Sequence, residues 1–374
     1  MAEYSIYLDA PNIGELEKKY VIHALESGYV SSVGPMVTEF EERFASYVGA
    51  PYAVATVNGT AALHLALRLL DIGPGDEVIV PDLTFIATAN PVLYVGATPV
   101  VVDVDPLTWN IDPAEVEKAI TKHTRAIIPV HLYGNPVDIQ RIMELARNHG
   151  IYVVEDATEA LGSTYKGRHT GTFGDIGVFS FNGNKVITTG GGGMLVTGDP
   201  DLASQACLLV NQGRTPGAIE YEHVEVGYNY RLTNLQAALG LAQLERLPEF
   251  LTTKRHNAAL YRELLKETPG LEWQHELDGA VSNWWLFSVL INPEIFGSDR
   301  NSIMEEMIAA GVQVRPLFMP LTKQAIYQHY RLNKCIVAES LYKKGLNLPS
   351  TTFLSDKDVY AVCELLKQPF ILLF

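Results

Sequence analysis

The sequence is poor in cysteine. It has three, Cys207, Cys335 and Cys363, far apart and with no CxxC pair. An odd number at such spacing excludes a disulfide framework and a cysteine zinc site, and it suits a reducing cytosol. No metal is expected. Long apolar runs are also missing, and none approaches the ~20 residues a membrane-spanning helix needs. The stretch from Met1 to Lys19 lacks the apolar centre of a secretory signal, so a cytoplasmic location is expected. The closing Phe370-Ile371-Leu372-Leu373-Phe374 is apolar but far too short to span, and is expected to pack at an interface. Positive charge is scarce: 28 Lys and Arg against 43 Asp and Glu leave a net −15. That balance argues against nucleic acid and membrane surfaces as partners. It leaves open a phosphorylated small ligand, which responds to local charge and not to the total. Repeats and low-complexity stretches are absent as well.

What is present is a 374-residue chain, 47% hydrophobic and 19% charged, long enough for two domains. The first two thirds alternate between β-rich runs and helical patterns. The runs are Tyr52–Val57, Glu77–Val80, Pro99–Val104, Ala126–Val130, Ile151–Glu155, Gly177–Phe181 and Gly193–Val196. Most are continuously apolar, as strands buried on both faces should be. Between them, Thr60–Leu70, Ile86–Val95, Pro113–Ile120 and Asp138–His149 read as helices. This alternation predicts an α/β domain around a mostly parallel seven-stranded sheet. From about Asn234 the texture changes. Leu235–Leu247 and Thr253–Leu265 read as two helices, Trp284–Ile291 as a strand and Ser302–Ala310 as a helix. We therefore expect a large domain over residues 1–245 and a smaller α+β domain over 246–374.

Ligands in open α/β sheets bind where strands end and helices begin, and three expected strand ends carry suggestive groups. Asn58-Gly59-Thr60 opens a helix, whose N-terminal amides suit a phosphate; a plain capped helix start fits equally well. Asp156 closes the fifth strand, either as a carboxylate over the sheet edge or as a helix cap. Lys185 follows Phe179-Ser180-Phe181-Asn182-Gly183-Asn184. An uncharged setting lowers a lysine's pKa and makes a usable amine nucleophile; the bland alternative is a surface lysine. The run Gly190-Gly191-Gly192-Gly193 lacks the order of an ATP loop, and no acidic residue follows at dinucleotide-fold spacing. Both nucleotide-fold readings are rejected, and with them a nicotinamide oxidoreductase. Lysine, carboxylate and phosphate cup together fit one cofactor, pyridoxal 5'-phosphate (PLP).

The chain resembles the sugar-nucleotide aminotransferases of DegT/StrS type, a fold-type I PLP family. The resemblance rests on Ser31-Ser32-Val33-Gly34, Asn58-Gly59-Thr60-Ala61-Ala62-Leu63 and Pro81-Asp82-Leu83-Thr84-Phe85-Ile86-Ala87-Thr88. It continues through Val130-His131-Leu132-Tyr133-Gly134, Glu155-Asp156-Ala157, Gly171-Thr172-Phe173-Gly174-Asp175, the segment 179–185 and Gly227-Tyr228-Asn229-Tyr230-Arg231. It implies that Lys185 binds the cofactor covalently and moves the proton, and that Asp156 pairs with the ring nitrogen. Phe85 would stack on the ring, Glu159 would sit near the ring hydroxyl, and Gly59, Thr60 and Ser180 would hold the phosphate. Asn229 would reach the phosphate of the neighbouring subunit, which implies a homodimer with shared sites. His131 has no role beyond packing. Gly191 stands where the family commonly has Glu, and Thr158 where a small residue or His is usual.

Within the family, Phe-Asn-Gly-Asn-Lys followed by four glycines is most similar to enzymes acting on UDP-linked 4-keto-6-deoxy-N-acetylhexosamine. These make 4-amino sugars for bacterial surface glycans such as lipopolysaccharide, and L-glutamate is the expected amino donor. GDP-perosamine synthases share the Gly-Asn-Lys part and are the alternative. PLP sugar dehydratases, which replace the lysine by histidine, are disfavoured by Lys185, and a catalytically silent regulator by the intact set of lysine, aspartate and phosphate-holding residues. The base of the nucleotide is expected to sit near residues 315–330.

Overall fold

A computed structural model describes residues 4–215, 219–220 and 222–367. All seven expected strands form: β1 (Tyr52–Thr56), β2 (Glu77–Pro81), β3 (Thr98–Val102), β4 (Thr124–Ile127), β5 (Tyr152–Asp156), β6 (Ile176–Ser180) and β7 (Gly193–Thr197). They lie in the order β1-β7-β6-β5-β4-β2-β3. Only β7 runs against the rest. The link from Ser180 to Gly193 contains no helix, so the chain turns back instead of crossing over. An eighth, two-residue strand, Arg331–Leu332, adds parallel to the β3 edge. It comes from the C-terminal part of the chain and is too short to leave a pattern in the sequence.

The continuous apolar strands are explained by burial on both faces. Val78, Val80 and Val154 pack into one core, while Ile79, Val100, Val102 and Val153 pack into another on the opposite side. The first core also receives the helix Gly59–Leu69, which is buried along nearly its whole length. A third core sits in the C-terminal part. It is built around Tyr261, Phe287, Ile303, Leu348 and Val362, beside a four-stranded antiparallel sheet.

Three expectations change. The two helices at 235–247 and 253–265 are one, Asn234–Leu265, which passes through Pro248 and through the expected division near residue 245. Proline removes one backbone donor. Here the helix is held by burial of Leu244, Leu247, Phe250 and Leu251, and Thr252 Oγ1 donates to the Pro248 carbonyl at 2.8 Å. The expected strand at 284–291 starts only at Phe287, because Trp284 adopts φ 51° and breaks the extended run. The expected helix at 86–95 is a 3₁₀ turn, Ile86–Thr88, followed by the short helix Asn90–Tyr94 with Pro91 in its first turn. The apolar tail at 370–374 lies outside the described residues.

Candidate active site

The C-terminal ends of β1, β5 and β6 open onto a cavity of about 290 Å³. Seven of the expected site residues line it: Gly59, Thr60, Phe85, Asp156, Glu159, Ser180 and Lys185. The eighth, Asn229, does not. It is exposed, on a segment whose backbone returns to β1 through Val57 N donating to Tyr230 O at 2.7 Å.

The side of the cavity formed by Asn58, Gly59 and Thr60 is built by close packing. Asn58 caps the helix Gly59–Leu69 by accepting from Ala61 N at 2.8 Å, which fixes Gly59 and Thr60 at the positive end of the helix dipole. A Cβ on Gly59 would lie 2.9 Å from Ser180 Cβ and 3.2 Å from Thr158 Cγ2, so only glycine lets this turn approach β6. The glycine run has a similar cause at Gly193, whose Cβ would meet the Asn58 backbone at 2.6 Å.

Glu155 and Asp156 point to opposite sides of β5, as the period of a strand requires. Glu155 is buried and accepts the backbone N–H of Gly171, Phe173 and Gly174 at 2.9, 2.5 and 2.7 Å. His131 completes this set. Val137 N donates to its Nδ1 at 3.1 Å, so the neutral ring places its proton on Nε2, which donates to Glu155 at 3.0 Å. The packing role expected for His131 holds. Asp156 instead lines the cavity. Its Oδ2 accepts from Thr88 Oγ1 at 2.7 Å and its Oδ1 from Thr158 N at 3.2 Å. Thr88 in turn bonds Thr84 at 2.8 Å. Both carboxylate oxygens are oriented by these bonds, and the carboxylate lines the cavity with acceptor capacity to spare.

Lys185 is largely buried, with its Nζ 3.7 Å from Glu159 Oε1 and 3.9 Å from the centre of the Trp285 ring. Burial lowers its pKa, while Glu159, Asp156 and Asp9 pull it back up. Glu159 is pushed up to about 7 by burial; Lys185 and the Tyr133 N–H, which donates to it at 2.7 Å, oppose that rise. Burial and the Glu159 carboxylate thus act on this amine in opposite senses, and burial is the larger effect.

Sequence reasoning missed the apolar wall. Trp285 and Phe318 line the cavity together with Phe85, and the Phe85 and Phe318 rings are in contact with centres 5.5 Å apart. Phe318 N donates to the hydroxyl of buried Tyr133 at 2.9 Å, which ties a C-terminal segment to the β4 end. Nothing in the local pattern of residues 315–330 marks this contact. Among the described residues, no cluster of His, Cys, Asp and Glu could hold a metal. No helix of the described residues is long and apolar enough to cross a membrane.

The donor set fits PLP: a buried amine of lowered pKa, a carboxylate oriented into the cavity and a helix N-terminus packed against a serine. Fold and site define a fold-type I, PLP-dependent aminotransferase. The chain belongs to the DegT/DnrJ/EryC1/StrS aminotransferase family, which matches residues 11–367. It is 44% identical to the GDP-perosamine synthase of Caulobacter vibrioides, over 97% of this chain and 98% of the relative. It is 41% identical to the GDP-perosamine synthase of Escherichia coli O157:H7, over 96% of each. The PLP-form structure of Spr1654 from Streptococcus pneumoniae superposes with a TM-score of 0.91 at 31% identity, covering 98% of each chain. The chain is thus a sugar-nucleotide aminotransferase, acting on a nucleotide sugar and an amino donor.

Proposed function

We propose that the chain moves the amino group of L-glutamate to the keto carbon of a GDP-linked 4-keto-6-deoxyhexose, giving a GDP-perosamine-type product. The observation that carries this is similarity along nearly the whole chain to two GDP-perosamine synthases, with a lysine at 185 in the cavity. The UDP-linked N-acetylhexosamine expected from the 181–193 motif gives way to this reading. The alternative dehydratase reading is set aside because Lys185 occupies the position where such enzymes carry histidine.

PLP, when bound, supplies an aldehyde that takes up amino groups and a ring that spreads negative charge. The chain's own residues do the rest. Lys185 Nζ accepts and returns the proton at the reacting carbon, with Glu159 3.7 Å away to balance its charge. Asp156, held by Thr88 and Thr158, keeps the ring nitrogen protonated. Gly59, Thr60 and Ser180 would hold the phosphate, and Phe85 would cover the ring. Phe318 and Trp285 close the apolar side and exclude water. Each turnover exchanges C–N for C=O on glutamate and the reverse on the sugar, so the two half-reactions balance.

The test is a panel of keto-sugar nucleotides with glutamate, read by product mass. The GDP-linked 4-keto-6-deoxyhexose should gain an amine and yield 2-oxoglutarate. Amination of only the UDP-linked N-acetylhexosamine would overturn the choice of substrate. Loss of the 3-hydroxyl without amination would overturn the reaction. We also propose a homodimer in which Asn229 serves the partner's site, supported by its exposure and its place outside its own cavity. Subunit exchange between Lys185→Ala and Asn229→Trp should bring the mixture to about a quarter of wild-type activity, because random mixing makes about half of the dimers mixed and one of the two sites in each of those is intact. Activity that stays at the parental level would sink the shared site.

A further inference from the structure

Behind the cavity wall lies a second lysine with no part in the chemistry above. Lys254, on the long helix Asn234–Leu265, has a side chain with 0% exposure. Its Nζ donates to both oxygens of Asp9 at 3.3 Å, to the Trp285 carbonyl at 3.0 Å and to the Ser350 carbonyl at 2.6 Å. Taking an ion pair out of water is costly, and a pair of apolar residues is often as stable in its place. What this pair does do is pin Trp285 from one side. The same residue is held at three more points. Its N–H donates to Asn283 Oδ1 at 2.8 Å, its Nε1 donates to the carbonyl of Asn184 at 2.6 Å, and its ring is buried. Asn184 directly precedes Lys185. The indole is therefore a fixed plate, bonded to the backbone that carries the reactive lysine and facing its amine at 3.9 Å.

We propose that Trp285 is a positioning residue that holds the free amine of Lys185 against its ring face, and that the Lys254–Asp9 pair anchors the plate from behind. This rests on reading Lys185 as the reactive amine. The face of an indole is negative and attracts an ammonium. The charged groups around Lys185 are Glu159, Asp156 and, further off, Asp9. The first two lie on the polar side of the cavity, so the ring is what faces the amine from the apolar side. When the amine is released during turnover, the plate keeps it within reach of the reacting carbon instead of letting it swing toward Glu159 alone. It also favours the ammonium state and so opposes the lowering of the lysine's pKa by burial.

The test uses the full chain stripped of cofactor, so it does not depend on turnover. Lys185 is labelled competitively with acetic anhydride across a pH series, and its reactivity is read by peptide mass spectrometry. Trp285→Leu keeps an apolar wall but removes the π face. The pH midpoint for labelling should move down by roughly half a unit to one and a half units. Trp285→Phe, with a weaker face, should move it less and in the same direction. The double variant Lys254→Met with Asp9→Asn, which removes the anchor without changing the net charge behind the plate, should also shift it down, and an unchanged midpoint there would overturn the anchoring role. An unchanged or raised midpoint in Trp285→Leu, with a cooperative thermal transition retained, would overturn the proposal. If that variant does not fold, Trp285→Phe decides, and a wild-type midpoint there counts against it. Failure of cofactor attachment to Lys185 in the loaded enzyme would instead overturn the reading beneath it.

Discussion

The packed interior behind the cavity and the cavity itself each hold a buried carboxylate and a buried lysine, and the two sets are treated differently. Behind the wall, Glu155 accepts three backbone N–H groups and His131, and Lys254 makes four hydrogen bonds to Asp9 and two carbonyls. At the cavity, Asp156 keeps acceptor capacity facing inward, and Lys185 has only a ring face and a carboxylate at 3.7 Å. Burial alone therefore does not mark chemistry in this fold. A buried charge whose hydrogen bonds are complete fixes structure, and one left incomplete toward a cavity is free to react.

The sharpest way to break this contrast is to exchange the roles by mutation. Lys185→Ala should bring turnover to background while leaving the thermal midpoint at or above wild type, since it removes an under-satisfied buried amine. Lys254→Ala should do the reverse. It strands Asp9 and should cost about 3–5 kcal/mol of stability in denaturant unfolding. If Lys254→Ala unfolds no more easily than Lys185→Ala, the distinction between the two lysines fails.

Asp156→Asn keeps the shape but removes the charge that lines the cavity. A loss of roughly two orders of magnitude in kcat is expected, from the ~3–4 kcal/mol a well-placed electrostatic group supplies, with a small change in unfolding midpoint. An unchanged rate would leave Asp156 only a structural acceptor for Thr88 and Thr158.

The smallest effect concerns pH. Glu159 keeps its proton in the folded chain between its ordinary 4.5 and about 7, where the unfolded chain has already lost it. The folded state then binds more protons, so this residue's contribution to stability is full below pH 4.5 and is lost as pH rises through 7. Cofactor-free wild type should lose on the order of 1–3 kcal/mol relative to Glu159→Gln between pH 5 and 8. Parallel pH curves for the two proteins would show that Glu159 is ionised throughout.

The same contrast explains what could be read from the sequence. The seven strands were legible because most of their residues are buried on both faces, which leaves continuous apolar runs such as Val78-Ile79-Val80. Gly59, Thr60, Asp156, Ser180 and Lys185 were legible because strand ends gather ligands and their motifs are local. Trp285, Phe318 and the Lys254–Asp9 pair were not. Their partners lie far away in sequence, 245 positions apart for Lys254 and Asp9, and no local periodicity encodes such a contact. The unbroken helix Asn234–Leu265 was not legible either: proline disfavours a helix interior, but burial of Leu247 and Phe250 on either side of Pro248 holds the helix through it.

The most direct measurement is to load the enzyme with PLP, reduce it with borohydride and map the pyridoxyl mass by peptide sequencing. The account predicts the label on Lys185 alone, in the peptide that follows β6. A label on Lys254 or any other lysine, or none at all in an enzyme that still turns over, would contradict it.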